Sequence, residues 1–265
     1  MRLMSIASGS SGNCIYAGND NTHILIDTGI SKKRVEEGMK RLDLSPSDLN
    51  GIFITHEHSD HISGLGVISR KYKIPIYGTK ETIEAIKSYG SVGRIEDELF
   101  VEIEPDMYIK LNTLSIKPFS ISHDAANPVA YRIEDEKSRI AVATDMGTYN
   151  DYIINNLEGL NGIVLESNHD IRMLQTGSYP YYLKQRILGN KGHLCNEMAG
   201  RLLDIILNKD MKKVFLGHLS KENNYEELAF ESVRMEINLS DSQYKADDFD
   251  ISVAKRDVPS VVAEI

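Results

Sequence analysis

The chain has two cysteines in 265 residues, Cys14 and Cys195. So few exclude a disulfide framework and suit a reducing compartment. Long apolar runs are missing too; the longest are strand-sized, so no segment is expected to span a membrane. Met1-Arg2-Leu3-Met4 passes straight into a Ser/Gly loop, with neither an apolar h-region nor a small-residue cleavage site. A cytoplasmic protein is expected. No linker-like stretch interrupts the sequence, so residues 1–265 are expected to form one domain. Positive charge is in deficit: 30 Lys and Arg against 39 Asp and Glu leave a formal net charge of −9. That excludes bulk electrostatic coating of nucleic acid. It does not exclude a nuclease, because divalent ions and a local basic patch can invert the potential at a site.

Against these absences stands one dense stretch, Ile54-Thr55-His56-Glu57-His58-Ser59-Asp60-His61. It sets three histidines and an aspartate at the spacing His-x-His-x-Asp-His. Residues 51–55 read as a short apolar strand, and residues 62–70 as the start of a helix. Residues two apart on an extended segment project to one side, so His56 and His58 can grip one ion together. Asp60 and His61 fall on the turn into the helix and face another direction, where a second ion has room. Imidazole nitrogens with a carboxylate oxygen suit zinc or manganese, and iron less well, with no thiolate required. A histidine-rich surface loop would have no reason to follow a buried strand at this spacing. His56-Glu57-His58-Ser59-Asp60-His61 resembles the signature loop of the metallo-β-lactamase-fold hydrolases. The resemblance implies an α/β fold, a four-layer αβ/βα sandwich with a two-metal site at the mouth between its halves.

Further positions follow in order. Residues 3–7 read as the first strand. Ser8-Gly9-Ser10-Ser11-Gly12-Asn13 is then either a tight turn or a loop in which Ser10, Ser11 and Asn13 approach a phosphate or carboxylate. No Gly-Lys-Ser/Thr follows, so it is not a Walker A loop. Residues 23–26 form a strand after a polar turn, and His23 is expected to be solvated. The strand ends at Asp27-Thr28-Gly29, where the family's aspartate supports the metal loop without touching metal; Asp27 is expected in that role. Helices are expected over residues 31–44 and 80–89, alternating with strands as in layered α/β proteins. By the same resemblance, His123, after a strand at 115–119, completes a first metal site with His56 and His58. Asp145, closing an apolar strand at 140–144, matches the carboxylate that bridges both metals. His218, delivered by a strand at 214–217, joins Asp60 and His61 at the second. Residues 247–257 read as a final strand, with the last eight residues docked or frayed.

Fold alone does not choose among the family's β-lactamases, thioesterases, nucleases and diiron oxidoreductases. The intact Asp60-His61 pair fits phosphodiester and thioester hydrolases better than secreted β-lactamases. Residues 171–192 carry Arg172, Lys184, Arg186 and Lys191 with no acidic residue, beside Tyr179, Tyr181 and Tyr182. Cations among aromatics suit a nucleic-acid strand, with phosphates on Arg and Lys and bases on Tyr faces. The alternative is an amphipathic helix with its tyrosines packed on the core. The combination of Gly9-Ser10-Ser11-Gly12-Asn13, Leu165-Glu166-Ser167-Asn168-His169-Asp170, Gly192-His193-Leu194-Cys195-Asn196 and Gly217-His218-Leu219-Ser220 resembles the bacterial YycJ/WalJ (VicX-type) subfamily. It departs at Cys195, where a small hydroxyl residue is more usual. No long insert lies between residues 150 and 215, so a full β-CASP domain is not expected.

The resemblance implies a 5′-to-3′ exonuclease with links to DNA repair, acting on DNA in preference to RNA. Two divalent ions would share a bridging hydroxide that attacks phosphorus, which makes Asp60 catalytic as well as a ligand. His169 and His193 are candidates for protonating the leaving group, and Glu166 for orienting one of them. Arg172, Lys184 and Arg186 join Ser10, Ser11 and Asn13 as candidate substrate contacts. Two other functions compete: a thioesterase or lactonase of the glyoxalase II kind, and a regulatory binding module without chemistry. The complete ligand set argues against the second. No motif speaks to oligomeric state.

Overall fold

A computed structural model describes residues 1–265. The first sheet is built from β1 (Arg2–Ala7), β2 (Cys14–Gly18), β3 (His23–Ile26), β4 (Gly51–Phe53), β5 (Ile76–Thr79) and β6 (Phe100–Ile103). The second takes β7 (Ile109–Leu111), β8 (Leu114–Ser120), β9 (Val129–Glu134), β10 (Arg139–Ala143), β11 (Gly162–Glu166), β12 (Lys213–Gly217) and β13 (Ile251–Val253). Finally β14 (Ala263–Glu264) returns to the edge of the first, giving the orders β14-β1-β2-β3-β4-β5-β6 and β13-β12-β11-β10-β9-β8-β7. Each sheet changes once from antiparallel to parallel pairing, at β3 in the first and at β10 in the second. Around such switch points the connections leave in different directions and open a crevice at the carboxyl ends of the strands.

The helices are α1 (Lys32–Lys40), α2 (Ser59–Ile62), α3 (Leu65–Tyr72), α4 (Lys80–Ser88), α5 (Asp151–Leu157), α6 (Ile171–Thr176), α7 (Tyr181–Leu188), α8 (Asn196–Ile206) and α9 (Glu226–Leu239). The central strands are buried on both faces, as strands covered twice must be. Phe53, Tyr77, Tyr131, Val142, Val164 and Phe215 fill the space between the sheets. Outside it, Leu65, Ile68 and Ile86 pack helices onto the first sheet, and Leu202, Leu203 and Val233 onto the second. Helix, sheet, sheet and helix therefore form the expected αβ/βα sandwich.

Local expectations differ in three places. The helix expected over 31–44 stops at Lys40; Ser31 caps its start, and Asp43 at φ 57° turns the chain after its end. The expected final strand shortens to β13, preceded by the 3₁₀ turn Ala246–Asp248. The last residues are docked, with β14 antiparallel to β1 and the Ile265 amide donating to the Met1 carbonyl at 2.7 Å. His23 is buried, not solvated. Its Nδ1 lies 2.9 Å from the Tyr16 hydroxyl on the neighbouring strand, and burial lowers its pKa. No helix is long and apolar enough to cross a membrane.

Candidate metal centre

The crevice at the carboxyl ends of β3, β4, β8, β10, β11 and β12 gathers the candidate ligands. Asp27, Asp145 and His218 leave their strands with positive φ, at 60°, 62° and 55°. That conformation costs a non-glycine residue on the order of 1–3 kcal/mol, and here it turns three side chains back over the strand ends. His58 is the N-cap of α2, so Asp60 and His61 lie in the first turn of a short helix, not on a turn before one. Parallel register sets Glu166 beside Gly217, which brings Glu166 against His218.

Four groups of side chains converge: His56, His58 and His123; Asp60, His61 and His218; His56, His61 and Asp145; and Asp145, Glu166, His193 and His218. Each group offers ligand atoms within 4.8 Å of one another. His123 Nε2 lies 3.3 Å from His58 Nδ1. His218 Nε2 lies 3.3 Å from Asp60 Oδ2 and 3.4 Å from Asp145 Oδ1. His61 Nε2 lies 3.3 Å from Asp145 Oδ2 and 3.5 Å from Asp60 Oδ2.

These residues fit divalent ions for two reasons. Ligand atoms each about 2.0–2.1 Å from a tetrahedral ion stand about 3.3 Å apart, which is the spacing observed. The tautomers also agree. Asp27 Oδ2 accepts from His61 Nδ1 at 2.7 Å and from the Thr55 hydroxyl at 2.8 Å. The Thr55 oxygen accepts in turn from His56 Nδ1 at 2.9 Å. Gly192 O and Glu166 Oε1 accept from the Nδ1 atoms of His123 and His218, at 3.1 and 3.0 Å. These bonds leave the Nε2 atoms of His56, His61, His123 and His218 facing the centre, the orientation a metal-binding histidine requires. His56 Nε2 and Asp145 Oδ2 are fully buried and have no hydrogen-bond partner. Buried orphans of this kind are costly unless something else satisfies them.

The electrostatics are those of a mutually neutralising cluster. Burial opposes charge on His218, but the carboxylates of Asp145, Asp60 and Glu166 prevail and raise its pKa to about 10. Burial likewise disfavours the carboxylate of Glu166, yet His193 and His218 hold its pKa well below the usual range. Asp60 is held down in the same way, against burial, by His61 and His218. At His56 the nearby Asp60 does not compensate; burial and the neighbouring histidines push its pKa well down.

A model of the beta-lactamase superfamily domain matches residues 22–214. The chain belongs to the beta-lactamase superfamily. It is 40% identical to exodeoxyribonuclease YycJ of Bacillus anthracis over 86% of each chain. It is 38% identical to exodeoxyribonuclease WalJ of Streptococcus pneumoniae serotype 2, over 84% of this chain and 83% of that one. The crystal structure of zinc-bound PqqB from Methylobacterium extorquens matches all of both chains (100% each) with a TM-score of 0.73 at 13% identity; that likeness shows a common fold. The two exodeoxyribonuclease relatives bear out the YycJ/WalJ resemblance.

Within this superfamily framework the remaining candidates separate. His193 is half-buried and its Nδ1 donates to Glu166 Oε1 at 2.8 Å, while Glu166 Oε2 accepts the Met146 and Leu194 amides. His169 stands in none of the converging groups. It is buried, its main chain bridges to Cys195, and burial lowers its pKa to about 4. Its burial and its place outside these groups weigh against His169 as the acid that protonates a leaving group. Asn13 is also buried: its Oδ1 accepts from the Gly9 amide at 2.9 Å, and its Nδ2 lies 3.1 Å from His61 Nε2. It is placed to buttress the loop that carries Asp60 and His61, whereas Ser10 and Ser11 are exposed.

Of the candidate cations, Arg172 is exposed and Arg186 pairs with Asp124, its Nη2 3.0 Å from Oδ1. Lys184 Nζ donates to the carbonyls of Gln175 and Gly177 at 2.8 and 2.7 Å, which ties α6 to α7. Its placement is that of a brace, not of a free phosphate contact. Tyr181 and Tyr182 are 77% and 74% exposed, so they do not pack on the core. Sequence reasoning missed Thr55, Asn168, Asn196 and Asn224. Asn224 Nδ2 donates to the carbonyls of Ser167 and Asn168, Asn196 accepts from the Ser167 hydroxyl at 2.7 Å, and Asn168 Nδ2 donates to His218 O at 2.9 Å. This buried network locks together the loops carrying Glu166, His193 and His218. Thr55, Asn168 and Asn196 stand inside the quoted motifs and were within reach of inspection; a lone Asn224 carries no signal.

Proposed function

We propose that the protein is a metal-dependent exodeoxyribonuclease that degrades single-stranded DNA from its 5′ end in the cytoplasm. The observation that carries the proposal is the convergence of His56, His58, His123, Asp60, His61, His218 and Asp145, with the Nε2 atoms of four of the histidines turned to one centre. The relatives that cover most of the chain and bear the name exodeoxyribonuclease support the choice of reaction. We infer two zinc or manganese ions, because the donors are imidazoles and carboxylates and both cysteines are buried away from the groups. When bound, the ions supply Lewis acidity, which lowers the pKa of an attacking water and neutralises charge on the phosphoryl oxygens.

The chain's own residues do the rest. Asp145 stands between the two groups of histidines and holds them in register. Asp27 and Thr55 fix the rings of His61 and His56, so little reorganisation is needed when charge develops. His193 delivers a proton from Nε2 to the departing 3′-oxygen of the released nucleotide, and Glu166 holds its Nδ1 hydrogen and stabilises the imidazolium. Exposed Tyr181, Tyr182 and Arg172 lie on the α6–α7 hairpin, where a single strand can stack and neutralise. Glu166 between His193 and His218 favours leaving-group protonation over the thioesterase alternative, since a thiolate leaves without a proton.

The test uses purified protein loaded with Mn²⁺ or Zn²⁺ and single-stranded DNA and RNA labelled at the 5′ or 3′ end, with Asp145→Ala as control. Mononucleotides released from the 5′ end of DNA, and absent with the variant, are expected. No cleavage of any nucleic acid with either metal, together with turnover of a thioester, would replace the proposal by the thioesterase.

A further inference from the structure

Arg256 belongs to none of the motifs, yet its guanidinium reaches the mouth of the centre. Its Nη2 donates to the carbonyl of Leu219, the residue after His218, at 2.9 Å. Its Nη1 lies 3.4 and 3.3 Å from the hydroxyl oxygens of Ser10 and Ser11. The neighbouring carboxylates are engaged elsewhere: Asp257 with Arg34 at 3.7 Å and Glu226 with Lys255 at 3.3 Å. Arg256 is thus a half-buried cation without an acidic partner in a chain of net charge −9.

The loop beneath it is shaped for the same purpose. A Cβ at Gly9 would stand 3.1 Å from Arg256 Nη1, so glycine makes room for the guanidinium. Hydroxyls that accept from Arg256 turn their own hydrogens outward, and the amides of Ser10 and Ser11 donate to nothing in the protein. The loop is tied to the second group of candidate ligands at both ends. The Ser8 hydroxyl accepts the His218 amide at 2.8 Å, and Asn13 contacts His61. Arg256 also lines a recess of about 190 Å³ with Ser8, Leu219, Ser220, Lys255 and Glu226, whose carboxylate pairs with Lys255; Ser10 and Ser11 lie outside it. One cation with two hydroxyls and two unengaged amides beside it is a receptor for a tetrahedral oxyanion.

We propose that Arg256, Ser10 and Ser11 form a phosphate subsite beside the metal centre, which holds a phosphate of the DNA strand other than the one cleaved. The inference rests on the nuclease assignment. A terminal phosphate held there would select 5′-phosphorylated ends, and a backbone phosphate would hold the strand in register.

The test measures fluorescence anisotropy of single-stranded oligonucleotides with 5′-phosphate or 5′-hydroxyl ends on metal-loaded full-length protein. Their first linkages are phosphorothioates that resist cleavage. Arg256→Gln removes the charge and, being shorter, also gives up the bond to Leu219, Arg256→Lys keeps the charge and loses the fork, and Ser10→Ala/Ser11→Ala removes the hydroxyls. Weakening on the order of tenfold by Arg256→Gln, confined to the 5′-phosphorylated strand, is expected for a terminal phosphate. Equal weakening of both strands would assign a backbone phosphate. Unchanged binding of both by a folded Arg256→Gln protein would overturn the subsite. If the unaltered protein bound neither strand, the nuclease assignment would fall instead. Inorganic phosphate would then decide the subsite by itself: weaker binding to Arg256→Gln would retain it, and equal binding would remove it.

Discussion

At the scale of single residues, the centre depends on groups that touch no metal. Asp27 accepts from both His61 and Thr55, and Thr55 from His56, so one buried carboxylate sets two ring orientations. Asp27→Asn places an amide where an acceptor is needed. Metal affinity is expected to fall by about 10–100-fold, measured by competition with a chromophoric chelator. Affinity unchanged in a folded variant would refute this role. His193 is tested through its leaving group. His193→Ala should lower kcat on DNA by about 10²–10⁴-fold and have much less effect on a p-nitrophenyl phosphodiester, whose anion leaves unaided. Equal losses on both would make His193 a ligand instead. His169 and His193 looked alike in sequence, each a lone histidine on a loop after a strand or helix. Burial separates them, and burial is a property of the packed molecule.

At the scale of elements, the distinctive piece is the hairpin of α6 and α7. Gly177 and Pro180 interrupt what composition alone leaves open as one amphipathic helix, and the break turns Tyr181 and Tyr182 outward at the start of α7. Exposed tyrosines contribute little to folding and much to stacking. Tyr181→Ala and Tyr182→Ala are each expected to weaken single-stranded DNA binding by about 1–3 kcal/mol if one base stacks on each ring. The melting temperature should stay unchanged. DNA affinity unaltered in both variants would take α7 off the path of the strand. The helices α5, α8 and α9 escaped notice because no motif marks them. Their apolar residues show as a buried stripe only once the second sheet lies beneath them.

At the scale of the whole molecule, the centre joins two sheets and stores charge between them. The Val129 amide of the second sheet donates to the Thr55 carbonyl at 3.0 Å, and the Tyr131 hydroxyl donates to Ile54 O at 2.6 Å, both at the entry to the metal loop. Without metal, protonated His218 helps to neutralise Asp145, Asp60 and Glu166. Its pKa is about 10 in the folded chain, above the value of about 6.5 expected unfolded. Its contribution is therefore complete below about pH 6.5 and is lost as pH rises through its folded pKa. The urea midpoint of EDTA-treated protein is expected to fall between about pH 6.5 and about pH 10. With zinc or manganese the trend should reverse, because the ions displace ring protons and bind more tightly as pH rises. A metal-free midpoint that holds steady across that range would contradict this account.

The amino-acid sequence by itself determined the chemistry and the strand framework. Three histidines and an aspartate within six residues, apolar strands ending in Asp145 and His218, and the absence of a cysteine cluster all act through local spacing, which sequence records directly. Only the tertiary structure decided which residues serve that chemistry. Asn13 and His169 are buried and Lys184 bonds to the carbonyls of Gln175 and Gly177, while Arg256, 246 positions from Ser10, came to the mouth. Contacts of that separation arise from how two sheets close on one core, and no local pattern encodes them.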